Sequence, residues 1–335
     1  MSSGPPPEAR WMRDVPRRSL NRGQLDSILH AALGSHPIST IHPLTDGFRN
    51  ANFKIEFADG SEPVVLRLYE HDPGICQKEV DLVRLVQESV PVPEIIYAEP
   101  RPMNGLPPSV IMKFVEGISI RDLRHTGDNK ALEQAGHSLG QILARIGQFS
   151  FDKSGWISAG PAVTAPLLEG SNPIPRFIDR CLGSENLKVR VPAGIRDRNH
   201  QIMWDWAPEL AALDAQSQLV HGDWSHRNLL VRRVDKHWRV AAILDWEFAV
   251  AYTPLTDIGH FLLRHERRSM DIIEPEFIRG YLDGGGTLPE NWRQLARLVD
   301  LIAVCESLTH AHLPEAATKE LVDLVQLASL NVLQR

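Results

Sequence analysis

In Leu219-Val220-His221-Gly222-Asp223-Trp224-Ser225-His226-Arg227-Asn228-Leu229-Leu230-Val231, an Asp and an Asn five residues later sit between two apolar runs. Ala242-Ile243-Leu244-Asp245-Trp246-Glu247 then ends another apolar run on a second Asp. A carboxylate, an amide oxygen and a second carboxylate in this order suit phosphoryl transfer from a nucleotide. Asp223 would orient an attacking hydroxyl and take its proton. Asn228 and Asp245 would hold the magnesium ions that neutralise the phosphates. Magnesium prefers few protein ligands together with phosphate oxygens and water, so two suffice. The plainer reading is a hairpin with polar turn residues, and a set of partner elements upstream argues against it.

Those elements must position the trio. Strands at Gln218–Val220 and Leu229–Val231 pin the loop at both ends, and a strand over Val240–Leu244 ends at Asp245. Rigid placement is most of what a phosphotransferase contributes. Upstream, Leu44 to Phe57 reads as strand, tight turn, strand. Gly47 and Asn50 lie in that turn, whose backbone amides would cover phosphates. Pro63 to Tyr69 gives a third strand, with Val65, Arg67 and Tyr69 on one face and Leu66 and Leu68 on the other. An Arg inside an apolar strand is costly unless it is paired. The helix predicted over Cys76–Glu88 offers Glu79 as its partner, and the pair would hold the α- and β-phosphates.

On these residues the chain resembles the aminoglycoside phosphotransferase and choline-kinase superfamily of small-molecule kinases, over roughly residues 40–335. The marks are His221-Gly222-Asp223 with Asn228, Asp245-Trp246-Glu247, and Asp257-Ile258-Gly259. In Val65-Leu66-Arg67-Leu68-Tyr69 an Arg stands where kinases carry Lys, as in choline kinases. The resemblance implies an α+β, protein-kinase-like two-lobe fold, with a small antiparallel β-sheet N-lobe and a larger, mainly helical C-lobe. It makes Asp223 the catalytic Asp, and Asn228 and Asp245 the ligands of Mg2+. Arg67 and Glu79 become the phosphate-positioning pair, and His221 and Asp257 braces of the catalytic loop. Met112 to Gly117 resembles the hinge between lobes, with the Lys113 carbonyl and the Val115 amide facing adenine. ATP is the implied phosphoryl donor, with GTP open beside it. Met112 narrows the pocket behind the base.

The chain departs from protein kinases in instructive ways. It has no Gly-x-Gly-x-x-Gly, and Asp245 is followed by Trp-Glu rather than Phe-Gly. Only twelve positions lead from Asp245 to Asp257, where a protein kinase keeps a long activation segment for its peptide. The expected acceptor is therefore a small-molecule hydroxyl. Aminoglycoside-like antibiotics (hence a role in antibiotic resistance), choline, ethanolamine, homoserine and sugars all stay open. Trp224 would either flank that hydroxyl or form a lid on the loop. Glu247 would make a structural hydrogen bond or hold an outer-shell water. Glu266, Asp271, Glu274 and Asp283 alternate with Arg264, Arg267 and Arg268, which suits a solvated helix face.

At 335 residues the chain has room for two lobes. We divide it into a disordered lead-in (1–22), an N-lobe (23–116) and a C-lobe (117–335). The net charge of −6 is spread along the chain, and neither half is basic enough for nucleic acid. No apolar run approaches membrane-spanning length. Met1 to Arg18 has no apolar signal core. Three distant cysteines speak against a disulfide framework or zinc site, and a reducing cytoplasm is the default. A helix is expected around Ala135–Ile146. The proline-broken stretch 150–215 suggests two helical pieces, Arg176–Leu182 and His200–Leu213, and the resemblance implies that this region lines or caps the acceptor site. Helices at 257–265, 276–282, 292–310 and 316–330 follow. Two other readings compete: a non-catalytic nucleotide-binding module, and a metal-dependent hydrolase built on His221, Asp223, Asp245 and His260.

Overall fold

Alternating burial along Ala51-Asn52-Phe53-Lys54-Ile55-Glu56-Phe57 marks a half-buried strand, with the four apolar residues inside. In the computed structural model, which describes residues 22–44, 50–70, 72–103, 105–264 and 267–331, this strand lies within a five-stranded sheet. Helix α1 (Arg22–Leu33) leads into β1 (Ile38–Leu44), β2 (Ala51–Phe57) and β3 (Val64–Leu68). Helix α2 (Pro73–Val86), β4 (Ile95–Glu99) and β5 (Ser109–Lys113) complete the unit. The order is β1-β2-β3-β5-β4, and every pairing is antiparallel. Leu25, Ile28 and Leu29 of α1 pack with Phe53, Ile55, Leu66 and Leu68 on one face. Tyr69, Cys76, Val80 and Val110 pack between β3, β5 and α2. Helix α2 starts cleanly because the Asp72 carboxylate accepts the Gly74 N–H and Pro73 needs no donor in the first turn.

Beyond residue 117 helices dominate. They are α3 (Ile120–Thr126), α4 (Asn129–Ile146), α5 (Pro173–Leu182), α6 (Glu185–Arg190), α7 (Ala193–Asp205), α8 (Ala207–Asp214), α9 (Leu255–Leu263), α10 (Arg267–Asp283), α11 (Trp292–Thr309) and α12 (Glu315–Asn331). Among the described residues seven short strands are interleaved: β6 (Ile118–Ser119), β7 (Gly155–Ser158), β8 (Ala162–Ala165), β9 (Gln218–Val220), β10 (Leu229–Val234), β11 (His237–Ile243) and β12 (Val250–Tyr252). One large core joins α4, α9, α10 and α11. Helices α4 and α10 meet backbone to backbone at Gly140 and Gly280, where a Cβ would lie 2.0 Å from a carbonyl oxygen of the other helix. Among the described residues, no helix is long and apolar enough to cross a membrane.

Several local expectations need correction. The single helix expected over His200–Leu213 is two, broken at Trp206, because Pro208 cannot donate and so opens a new first turn. The helix expected from Glu276 begins at Arg267 and runs through Pro275, carried by its packing on α4. Residues 150–215 hold four helices and the β7–β8 hairpin rather than two helical pieces. Of the lead-in, only Arg22 is described, and it opens α1. Gly47, Asn104 and Glu266 lie outside the described residues.

Candidate active site

Two strand ends bring the site together. Strands β9 and β12 pair, with Val220 opposite Val250, so the loop 221–228 leaves the sheet beside the segment 244–249. The Leu244 N–H donates to the Asn228 carbonyl at 2.9 Å, which sets Asn228 next to Asp245. Gly222 takes φ +80°, and a Cβ there would lie 2.2 Å from the Phe248 carbonyl oxygen, so only glycine fits the turn.

The loop is held chiefly by backbone groups. Asp257, fully buried in the first turn of α9, accepts the His221 N–H at 2.7 Å and the Gly222 N–H at 2.9 Å, one on each oxygen. Burial pushes its carboxyl up to about 7, against the pull of these two bonds. His221, also fully buried, accepts the Asp223 N–H on Nδ1 at 3.2 Å and donates from Nε2 to the Leu244 carbonyl at 2.9 Å. That pattern requires the neutral ring, and burial lowers its pKa to about 4. His221 therefore ties the Asp223 loop to the residue before Asp245. Its ring packs on Trp246 and meets Trp224 edge-on. Of the two roles open to Trp224, acceptor contact is corrected to a lid inside the loop: the side chain is 0% exposed.

Asp223 itself is partly exposed. Asn228 Nδ2 donates to its Oδ2 at 2.9 Å and to its backbone carbonyl at 3.1 Å, which turns the Asn228 amide oxygen away from Asp223. His260 Nε2 stands 3.4 Å from Asp223 Oδ1. Lost solvent and the nearby Asp245 raise the Asp223 carboxyl to about 6.

Across the cleft, Arg67 is buried between two carboxylates. Its Nε lies 3.2 Å from Glu79 Oε2 and its Nη2 lies 2.5 Å from Asp245 Oδ1. Burial opposes the guanidinium charge, but Asp245 and Glu79 hold it firmly protonated. Glu79 also accepts the Tyr69 hydroxyl at 2.6 Å and the Trp246 N–H at 3.2 Å, so it anchors α2 to the end of the Asp245 segment. Asp245 sits at φ +67°, a turn that few side chains adopt. Asn50 Nδ2 donates to Glu247 Oε2 at 2.8 Å, and Lys78 Nζ to the Glu247 carbonyl at 2.8 Å. Lys113 ends β5 with its ammonium on Glu94, and Val115 lies half-buried in the connection that follows.

Asp223, Asn228, Asp245, Arg67, Glu79, His221 and Asp257 thus fall in one cluster. Asn50 reaches it through Glu247, while Lys113 and Val115 lie on the connection between the units. Tyr69 went unmarked as a partner of Glu79, although its place on the Arg67 face was a signal. His226 was also missed. It is buried, accepting from Arg124 Nη1 at 3.0 Å and bonding the Phe261 carbonyl at 3.2 Å. Arg264, paired with Asp300 at 2.7 Å, gave no sequence sign of its partner. Among the described residues, no three His, Cys, Asp or Glu side chains converge as metal ligands.

The chain matches the family model described as the phosphotransferase enzyme family over residues 40–298. No curated protein matches it. Its fold is similar to that of aminoglycoside 2'-phosphotransferase-IIIa in its GDP complex, at 16% identity and a TM-score of 0.66 over 93% of this chain and 99% of that one. It is similar to aminoglycoside phosphotransferase APH(4)-Ia at 15% identity and a TM-score of 0.64, over 93% and 98%. A putative fructosamine-3-kinase from Thermobifida fusca YX-ER1 aligns at 17% identity and a TM-score of 0.59, over 92% and 99%. The antiparallel sheet, the mainly helical region behind it and the family match agree: the chain belongs to the phosphotransferase enzyme family and has the two-lobe, protein-kinase-like fold of small-molecule kinases.

Proposed function

We propose that this protein transfers the γ-phosphoryl group of ATP to a hydroxyl of a small molecule, an aminoglycoside-like antibiotic or a small metabolite alcohol. The observation that carries this reading is the Asp223–Asn228–Asp245 arrangement, fixed by the Asn228 hydrogen bonds to Asp223 and by the Leu244–Asn228 backbone bond. Asp223 orients the acceptor hydroxyl and accepts its proton as the new O–P bond forms. Near neutral pH its carboxyl is ionised, as that role requires.

The donor set fits magnesium. The Asn228 amide oxygen faces away from Asp223, and one Asp245 oxygen is not engaged by Arg67. These are hard oxygen ligands next to where phosphates would lie. Asn228 and Asp245 would hold Mg2+ there, and the ion would supply the positive charge that offsets the phosphates. Arg67, steered by Glu79, meets the α- and β-phosphates, while Lys113 and Val115 offer backbone groups to the base. A solved neighbour carries ADP with hygromycin B and another carries GDP with kanamycin, which supports a purine nucleotide donor and a polyhydroxylated acceptor. The three cysteines are free and buried, in keeping with a reducing cytoplasm.

The hydrolase reading loses its support at His221, because both ring nitrogens are already committed to backbone groups. A coupled ADP-release assay with Mg-ATP tests the proposal. The panel comprises aminoglycosides, amino alcohols, homoserine and sugars, with Asp223→Ala as control. Turnover with one class that vanishes in the variant supports it. Absence of any nucleotide binding would sink it.

A further inference from the structure

The two oxygens of the Asp223 carboxylate face two different side chains. Asn228 Nδ2 holds Oδ2 at 2.9 Å, and His260 Nε2 faces Oδ1 at 3.4 Å. We propose that His260 is a positioning residue for Asp223, fixing the plane of its carboxylate and so the direction from which the acceptor hydroxyl is received. This rests on the phosphotransferase reading above.

The helix that carries His260 explains why it suits the task. Asp257, one turn earlier on the same face of α9, fixes the backbone of the loop through His221 and Gly222. His260 then addresses the side chain of the next residue. Helix α9 cannot rotate away from this task. At Gly259 it lies so close to α11 that a Cβ would stand 2.5 Å from the Ala296 carbonyl oxygen. The His260 side chain keeps 16% of its surface exposed, so its ring borders the cleft rather than filling the core.

A carboxylate held at one oxygen alone can turn about its Cβ–Cγ bond. Held at both, its plane is fixed, and the one lone-pair direction left on each oxygen points along a set line toward the hydroxyl. The 3.4 Å separation exceeds a formed hydrogen bond. Hydrogen bonds at a site without substrate are often long and tighten in the reacting complex. Two arginines, Arg264 and Arg227, also act on Asp223 through their charge, and Arg264 is engaged by Asp300 at 2.7 Å.

The test compares wild type, His260→Ala, His260→Gln and Asp223→Ala by two readouts. The first is turnover of Mg-ATP, with the acceptor identified in the panel or with water as the slow acceptor. The second is a crystal structure with Mg-AMP-PNP. His260→Ala should lower kcat by about 10- to 100-fold, with KM for ATP unchanged within about twofold. His260→Gln, which returns an N–H donor to the same place, should recover most of the loss. In the crystals, Oδ1 should be hydrogen-bonded to His260 in wild type, and the carboxylate should be turned in His260→Ala. Should the Ala variant fail to fold, the Gln variant and the wild-type crystal decide. Wild-type turnover in His260→Ala while Asp223→Ala is inactive would overturn this proposal alone, as would an unturned carboxylate. Full turnover in Asp223→Ala would overturn the phosphotransferase reading and this proposal with it.

Discussion

The loop 221–228 and the Arg67–Glu79 group converge on the same short segment, 244–246, but different forces hold them there. Directional bonds to backbone groups fix the loop: the Asp257 carboxylate to two N–H groups, the neutral His221 ring to one N–H and one carbonyl. Arg67 and Glu79 are fixed by buried charges, the guanidinium compensated by Glu79 and by Asp245. Hydrogen bonds to backbone specify position to a few tenths of an ångström at modest energetic cost. Buried charges contribute little net stability but are costly to leave without a partner. Damage to the loop should therefore appear mainly in turnover, and damage to the charged group mainly in stability.

Glu79→Ala breaks the charged side hardest. It strips partners from Arg67, the Tyr69 hydroxyl and the Trp246 N–H together. A loss of about 3–5 kcal/mol is expected, read by urea unfolding. A loss below about 1 kcal/mol would mean the group is solvated rather than buried. Gly222→Ala breaks the loop side. Its Cβ would meet the Phe248 carbonyl at 2.2 Å, forcing the main chain beside Asp223 to move. Turnover should fall by about 100-fold, the scale of an ångström misplacement, with nucleotide affinity nearly kept. Tyr69→Phe is milder, removing one hydrogen bond to a buried carboxylate. About 1–3 kcal/mol of stability should go, with kcat changed less than in Gly222→Ala.

The smallest effect at neutral pH concerns His221. Its folded pKa of about 4 lies below the ordinary value of 6.5, so folding favours the neutral ring. The stability this ring contributes is complete above pH 6.5 and is lost as pH falls through 4. NMR of the ring should show no protonation above about pH 5, whereas titration near 6.5 would contradict the hydrogen-bond pattern assigned to it.

The contrast also bears on what the sequence disclosed. The loop was legible from Asp223, Asn228 and Asp245 at fixed spacing between apolar strands, and the bracing role of Asp257 from the resemblance; the backbone bonds it accepts belong to the structure. The five-stranded sheet was legible from alternation, as in Ala51–Phe57. The charged group was legible at Arg67, where a cation interrupts an apolar strand, and far less so at Tyr69, which reads as an ordinary core aromatic. The hairpin Gly155–Ala165 escaped notice because its strands are four residues each and β7 pairs with β12, about 95 positions away. Helix α10 was cut short at Pro275 because local propensity forbids a proline that tertiary packing tolerates. His260 read only as a ligand in the hydrolase alternative and not as a partner of Asp223 in phosphoryl transfer, since its distance to Asp223 is set by how α9 docks on α11.

The central claim is that Asp223 acts on the hydroxyl while Asp245 serves the metal and nucleotide. Calorimetric Mg-ATP binding beside turnover, in Asp223→Ala and Asp245→Ala, tests it most directly. The account predicts that Asp223→Ala binds Mg-ATP within about twofold of wild type but loses about 1,000-fold in turnover, and that Asp245→Ala loses Mg-ATP binding. Retained turnover in Asp223→Ala, or undiminished Mg-ATP binding in Asp245→Ala, would contradict it.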